Sequence, residues 1–328
     1  MNNINCMGGC SAKLDNKRLQ KILKLSNSSL KNNEDCSIYD LGNGTSLVES
    51  IDYFPQISDS YYIYGQITAC NSISDIYAMG ATPKFALSVL TVTNEMSDEE
   101  IAEIIKGMIS ILNPLDIRIE GGHTIITNDL ICGLSVTGFV NNKDLKQNNT
   151  PNIGDVIVLS KPLGFGTIIA AKTVDMVDTK DYKEALKWMT TPNKEASLIA
   201  VKYNFSALTD VTGFGLAGHL LEMMGSSYCA QIAIENLPIV GNALQYLDQY
   251  FLNGAIANNR RNYKDEISFS FKPSFGQKEI FFDPQTSGGL LGTVDSETWA
   301  NMDEESKKCF WQIGVVGNKR EKAIEVND

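Results

Sequence analysis

The ten residues Asn71-Ser72-Ile73-Ser74-Asp75-Ile76-Tyr77-Ala78-Met79-Gly80 constrain this chain more than any other stretch. They read as the last turns of a helix that begins near Gly65 and is stopped by Gly80, with Pro83 just beyond. On that helix Asn71, Ser74, Asp75 and Ala78 fall at i, i+3, i+4 and i+7 and share a face, whereas Ile73, Ile76 and Tyr77 turn toward another. A face of small residues carrying one carboxylate lets a ligand or metal come close to the helix. A lone aspartate in such a place is ordinarily just solvated. Three more, Asp35, Asp52 and Asp210, stand in similarly unusual settings and move the reading toward a binding site.

At 328 residues the chain is long for one core, so two domains are expected. No apolar run approaches the roughly 18 residues that span a bilayer, and the N-terminus lacks the basic-then-apolar order of a signal peptide. These features predict a cytoplasmic protein. Seven cysteines, an odd number with no Cys-x-x-Cys spacing, argue for thiols rather than disulfides or a structural zinc site. A net charge of −11 without a basic tract disfavours nucleic acid or an anionic membrane as the main partner. A small anion remains open, since backbone N–H groups, metal ions and one or two lysines can hold a phosphate.

Along the chain, Leu19, Ile22 and Leu23 mark a short amphipathic helix capped by Asp15. Ahead of it, Met7-Gly8-Gly9-Cys10-Ser11-Ala12-Lys13 places a thiol three residues before an amine on a glycine-rich, mobile segment. This is either an incidental cysteine in a tail or a thiol whose ionisation a neighbouring cation favours. Strands over 37–41 and 45–51 form a hairpin around Gly42-Asn43-Gly44, which puts Asp35 and Asp52 at one end of the sheet. Ser97-Asp98-Glu99-Glu100 is a capping box opening a helix striped by Ile101, Ile104, Ile105, Met108 and Ile111. Further strands are expected over 85–92, 117–120 and 131–140. Gly121-Gly122-His123-Thr124 reads as an anion-cradling turn in which His123 is either a core or capping imidazole or a ligand. The polar run 141–152 reads as an interdomain linker. Beyond it come a strand over 156–160 with a glycine turn at 161–166, and a strand over 207–209 leading into Asp210-Val211-Thr212-Gly213-Phe214-Gly215 and a helix over 216–224 containing His219. A tight loop at 281–290 feeds a last strand.

Taken in order, Gly-Gly-Cys-Ser-Ala-Lys (8–13), Tyr-Asp-Leu-Gly-Asn-Gly-Thr (39–45), the 71–80 stretch, Gly-Gly-His-Thr (121–124), Lys-Pro-Leu-Gly-Phe-Gly (161–166), Thr-Asp-Val-Thr-Gly-Phe-Gly (209–215) and Asp-Pro-Gln-Thr-Ser-Gly-Gly-Leu (283–290) resemble the selenophosphate synthetases. The wider superfamily of aminoimidazole ribotide synthetase-like enzymes shares the architecture but not the Gly-Cys…Lys head. The resemblance implies a two-domain α/β plus α+β fold. A mobile segment with a reactive cysteine (1–34) precedes an ATP-binding and dimerisation domain (35–150) that forms a β-barrel across a homodimer interface, and an α+β domain (151–328) follows. It assigns Cys10 and Lys13 as catalytic, and Asp35, Asp75 and Asp210 as magnesium ligands. Lys13, Asn32, Asn33, Glu34, Asp52, Asp75, Gly122, His123 and Thr124 are implied to contact the nucleotide. Two departures stand out: Ala12 where some members have a second cysteine, and Cys36-Ser37 where Ala-Ala is commoner.

The activity so implied converts ATP, selenide and water into selenophosphate, AMP and phosphate, with two or more Mg²⁺ ions. The resemblance also admits a monovalent cation such as K⁺ and a selenium-delivery protein as partner. Residue chemistry alone stops at metal-dependent phosphotransfer: four aspartates and a triphosphate on a protein of net charge −11 need divalent cations. The alternatives are another ATP-dependent ligase or kinase of the superfamily, and a non-catalytic nucleotide-binding paralogue.

Overall fold

The computed structural model describes residues 16–26 and 34–328. Each half of the chain builds one sheet. In the first half, β1 (Ser37–Asp40), β2 (Thr45–Pro55), β3 (Thr82–Val92), β4 (Arg118–Ile126) and β5 (Ile131–Asn141) lie in the order β1-β2-β5-β3-β4. All neighbours are antiparallel except β3 and β4, which run parallel. The hairpin forms where expected, with Asp40 paired to Ser46. β2 continues past it, so Asp52 stands within the strand rather than at its exit.

The expected amphipathic helix forms as α1 (Asn16–Leu25), and helices α2 (Tyr61–Ser72) and α4 (Asp98–Leu112) cover one face of this sheet. Their backbones approach closely because each offers a glycine: a Cβ on Gly65 would lie 2.0 Å from the Ile104 carbonyl oxygen, and one on Gly107 2.0 Å from that of Tyr62. The capping box of α4 is present. Ile104, Met108 and Leu112 are its buried stripe, while Ile105 turns outward. The other face of the sheet exposes Ile51, Tyr53, Phe85 and Leu87.

The expected single helix up to Gly80 is in fact two. α2 starts four residues before Gly65 and closes on Ile73, and a short α3 (Ser74–Ala78) follows. The interruption coincides with two side chains drawn to one partner: Asn71 Nδ2 donates to Asp52 Oδ2 (2.9 Å) and Ser72 Oγ to the Asp52 carbonyl (3.2 Å). Gly80 does terminate the run, in a left-handed conformation (φ 68°). Gly121 and Gly122 do not form a turn. They lie inside β4, which pairs with β3 through Ile126, and a bulge at Ala86/Leu87 absorbs the register.

In the second half, β6 (Val156–Leu159), β7 (Ala207–Asp210), β8 (Tyr228–Ala233), β9 (Ile267–Phe269), β10 (Leu290–Val294), β11 (Trp311–Asn318) and β12 (Ile324–Asn327) form a sheet ordered β7-β10-β6-β11-β8-β12-β9. Helices α7 (Lys194–Lys202) and α8 (Gly215–Met224) pack on it, while α5 (Phe165–Thr173) and α6 (Thr179–Met189) pack on each other and against the first half. The halves share apolar cores: Phe165, Ile168 and Met189 pack in the cluster that holds Tyr64 and Ile76, and Ala78 packs with Ala196 and Ile199 of α7. The polar run after β5 is tied down as well, with Lys146 and Asn148 buried and Lys146 N–H donating to the Met79 carbonyl (3.0 Å). Among the described residues no helix is long and apolar enough to cross a membrane.

Candidate functional site

Three carboxylates meet where α3 of the first half packs against β7 of the second. Asp35 lies just before β1, Asp75 in the turn of α3, and Asp210 at the end of β7, and one oxygen of each lies within 4.8 Å of the other two. Local partners aim them. Thr209 Oγ1 donates to Asp35 Oδ1 (2.8 Å), and the Ser50 hydroxyl donates to Asp75 Oδ2 from the inward face of β2. Asp210 is held by the ladder to Leu290 of β10. Burial first, and then the charge of Asp210, push the Asp35 carboxyl well above the usual range against the pull of the Thr209 hydroxyl.

This donor set fits a hard divalent cation. It offers carboxylate oxygens only, and Asp35 Oδ2 is buried with no hydrogen-bond partner among the described residues, as an oxygen meant for an ion would be. Cys36 sits among the same groups. Burial, followed by the charges of Asp75, Asp35, Asp210 and Asp52, raises its pKa far enough to keep it a neutral thiol.

Asp52 stands next to the cluster. It is buried, and Asn71 joins it to the second half by accepting the Ser287 N–H on Oδ1 (2.8 Å) while donating to Asp52. Glu34 accepts from the Asn148 N–H (3.2 Å) and from Gln147 Nε2 (3.3 Å). Its pKa is raised, chiefly by burial. Gly122, His123 and Thr124 are not brought to this site: they lie exposed on β4, three strands from β2. Cys10, Lys13, Asn32 and Asn33, like Asp15, the expected helix cap, lie outside the described residues.

The glycine turns of the second half do not present these amides to a phosphate. Gly164 and Phe165 N–H donate to Gln285 Oε1 (3.2 and 3.1 Å), and Gly166 N–H donates to Asp283 Oδ2 (3.1 Å). The 283–290 loop therefore caps α5 from within the protein. In the 210–215 turn, Thr212 N–H donates to His219 Nε2 (3.0 Å), which places the proton of a neutral imidazole on Nδ1, 3.6 Å from Glu222. His219 braces the turn that follows Asp210.

Sequence reasoning missed Ser50, Thr209, Lys161, Asn193 and Ser287. The first two carried a usable signal, since Ser50 shares the inward face of β2 with Asp52 and Thr209 adjoins Asp210. The others come from distant segments that only the folded chain assembles.

The AIR synthase related protein N-terminal domain matches residues 33–140, and the AIR synthase related protein C-terminal domain matches residues 152–327. A selenide, water dikinase of Treponema denticola is 36% identical, with 97% of this chain and 95% of that protein covered. One of Agathobacter rectalis is 37% identical, with 98% and 97% covered. The chain belongs to the selenide, water dikinase family. Solved structures outside the selenide, water dikinases share its fold. Thiamine monophosphate kinase from Aquifex aeolicus superposes with a TM-score of 0.71 at 16% identity, covering 94% of this chain and 96% of that one. The hydrogenase maturation protein HypE in complex with ATP superposes with a TM-score of 0.66 at 14% identity, covering 96% and 92%.

Proposed function

We propose that this chain catalyses the ATP-dependent synthesis of selenophosphate from selenide and water, releasing AMP and phosphate. The observation that carries the reading is the meeting of Asp35, Asp75 and Asp210 at the junction of the two halves, in a chain similar over its length to selenide, water dikinases. That similarity favours this reading over a ribotide ligase or a non-catalytic paralogue.

Asp35, Asp75 and Asp210 would hold Mg²⁺, which when bound neutralises the charge of the phosphate chain and of the group in transfer. The Thr209 and Ser50 hydroxyls fix the carboxylates so that little reorganisation is needed. Asn71 orients Asp52 toward the nucleotide. Cys10 delivers or protects selenium, and Lys13 stabilises negative charge and favours the thiolate.

The exposed apolar face with Ile51, Tyr53, Phe85 and Leu87 supports a homodimer closed by these sheets into a barrel. The dimer also gives Gly122, His123 and Thr124 a role. Within one chain they stand roughly 14 Å of sheet away from β2, so they would serve a nucleotide held across the interface. Separation of nucleotide products under anaerobic conditions tests the reading. AMP should form only when selenide is present, and Asp75→Asn should abolish it. Selenide-independent turnover of ATP with a ribotide would overturn it.

A further inference from the structure

The turn at Ser287 and Gly288 is the piece of the second half wedged into the carboxylate site, and its grip is unusual. Ser287 is a non-glycine residue in a left-handed conformation (φ 57°) and is buried. Gly288 packs so tightly on the residue after Asp210 that a Cβ would lie 1.9 Å from the Val211 carbonyl oxygen. Two side chains with no role so far hold this turn. Lys161, only 3% exposed at the end of β6, donates from Nζ to the Ser287 carbonyl (2.9 Å), with the Asp210 carboxylate and the Cys70 thiol as its electrostatic neighbours. Asn193, also 3% exposed, donates from Nδ2 both to the Gly288 carbonyl (2.9 Å) and to Ser74 Oγ (2.9 Å), the residue before Asp75. One helical turn on, Ser197 Oγ donates to the Tyr77 carbonyl (2.7 Å), so α7 grips α3 at two points. A buried ammonium is costly, and neither bond is needed to close a sheet or cap a helix.

We propose that Lys161 and Asn193 are positioning residues for the metal site: by clamping the Ser287–Gly288 turn, and through Asn193 also Ser74, they set the spacing between Asp210 on one half of the chain and Asp75 on the other. Lys161 adds a counter-charge beside Asp210. The inference rests on the reading that Asp35, Asp75 and Asp210 hold a divalent cation, and its test separates the two. Mn²⁺ binding to the full chain is measured by electron paramagnetic resonance with a non-hydrolysable ATP analogue, alongside thermal unfolding, for the wild type, Asp75→Asn, Asn193→Asp and Lys161→Met. Asn193→Asp keeps the shape but replaces the donor with an acceptor facing two oxygens. Both clamp variants should unfold cooperatively yet bind Mn²⁺ about ten-fold more weakly, the usual cost of losing an outer-sphere support. Should Lys161→Met fail to fold, Asn193→Asp decides alone. Wild-type Mn²⁺ binding in Asp75→Asn would overturn the metal reading itself. Loss of binding in Asp75→Asn with wild-type binding in the folded clamp variants would overturn only the positioning role.

Discussion

Removing one of the three clustered charges should make the metal-free protein more stable. Asp210→Asn keeps the shape of the side chain and leaves the backbone ladder to Leu290 in place. The carboxylate oxygens lie within 4.8 Å of one another. At an effective dielectric of about 20, two unit charges at that distance repel by about 3.5 kcal/mol. Asp210 faces two such partners. Asp35 already relieves part of the strain through its raised pKa, and Asp210→Asn also takes a counter-charge from Lys161. A net gain of about 1–2 kcal/mol is therefore expected rather than the full repulsion. Denaturant unfolding followed by fluorescence of the three tryptophans, in the presence of a chelator, reads this directly. With Mg²⁺ and an ATP analogue the order should reverse. A ligand at a hundred times its dissociation constant stabilises the wild type by about 2.7 kcal/mol, and the variant has lost a ligand. A variant less stable than the wild type in chelator would refute the reasoning and make Asp210 a structural carboxylate satisfied by its surroundings.

Burial pushes Asp283 up to about 7 against the Thr167 hydroxyl, the Gln285 amide and the Gly166 N–H. The folded form thus keeps a proton that the unfolded chain gives up near pH ~4, so stability from this group falls between about pH 4 and 7. Asp283→Asn should flatten that slope in unfolding midpoints taken across the window, and an unchanged or steeper slope would count against it. In sedimentation equilibrium the wild type should be dimeric and Leu87→Lys, on the exposed sheet face, should yield a 36.0 kDa species; a monomeric wild type would contradict the barrel. Cys10→Ser should still bind an ATP analogue but make selenophosphate at below about one per cent of the wild-type rate, because a hydroxyl is not ionised at neutral pH. Wild-type synthesis by that variant would make the thiol a bystander.

Local chemistry was legible in the sequence wherever one residue sets the geometry. Gly80 stops its helix, Ser97 and Glu100 cap theirs, and the 42–44 turn closes its hairpin. The same local reasoning failed where tertiary partners decide. Nothing adjacent to Ile73 announces that Asn71 and Ser72 will bond to Asp52 as the helix breaks. A glycine pair after a strand looks like a turn, and only pairing with β3 extends that strand through Gly121 and Gly122. The amides at 164–166 look available to an anion until the loop 120 residues later supplies Asp283 and Gln285. The carboxylate trio was legible as residue types, and Thr209 beside Asp210 with them, but the rest of its support was not, since Lys161, Asn193 and Ser287 approach it from separate segments.

Anaerobic phosphorus NMR on ATP, Mg²⁺ and selenide tests the central claim most directly, because it sees the phosphorus–selenium bond as well as AMP and phosphate. The wild type should produce selenophosphate, AMP and phosphate in equal amounts. Asp75→Asn should produce none of them while retaining the wild-type circular dichroism spectrum. Selenophosphate formation by Asp75→Asn at the wild-type rate and magnesium level would contradict the account, leaving Asp75 a solvated residue of α3.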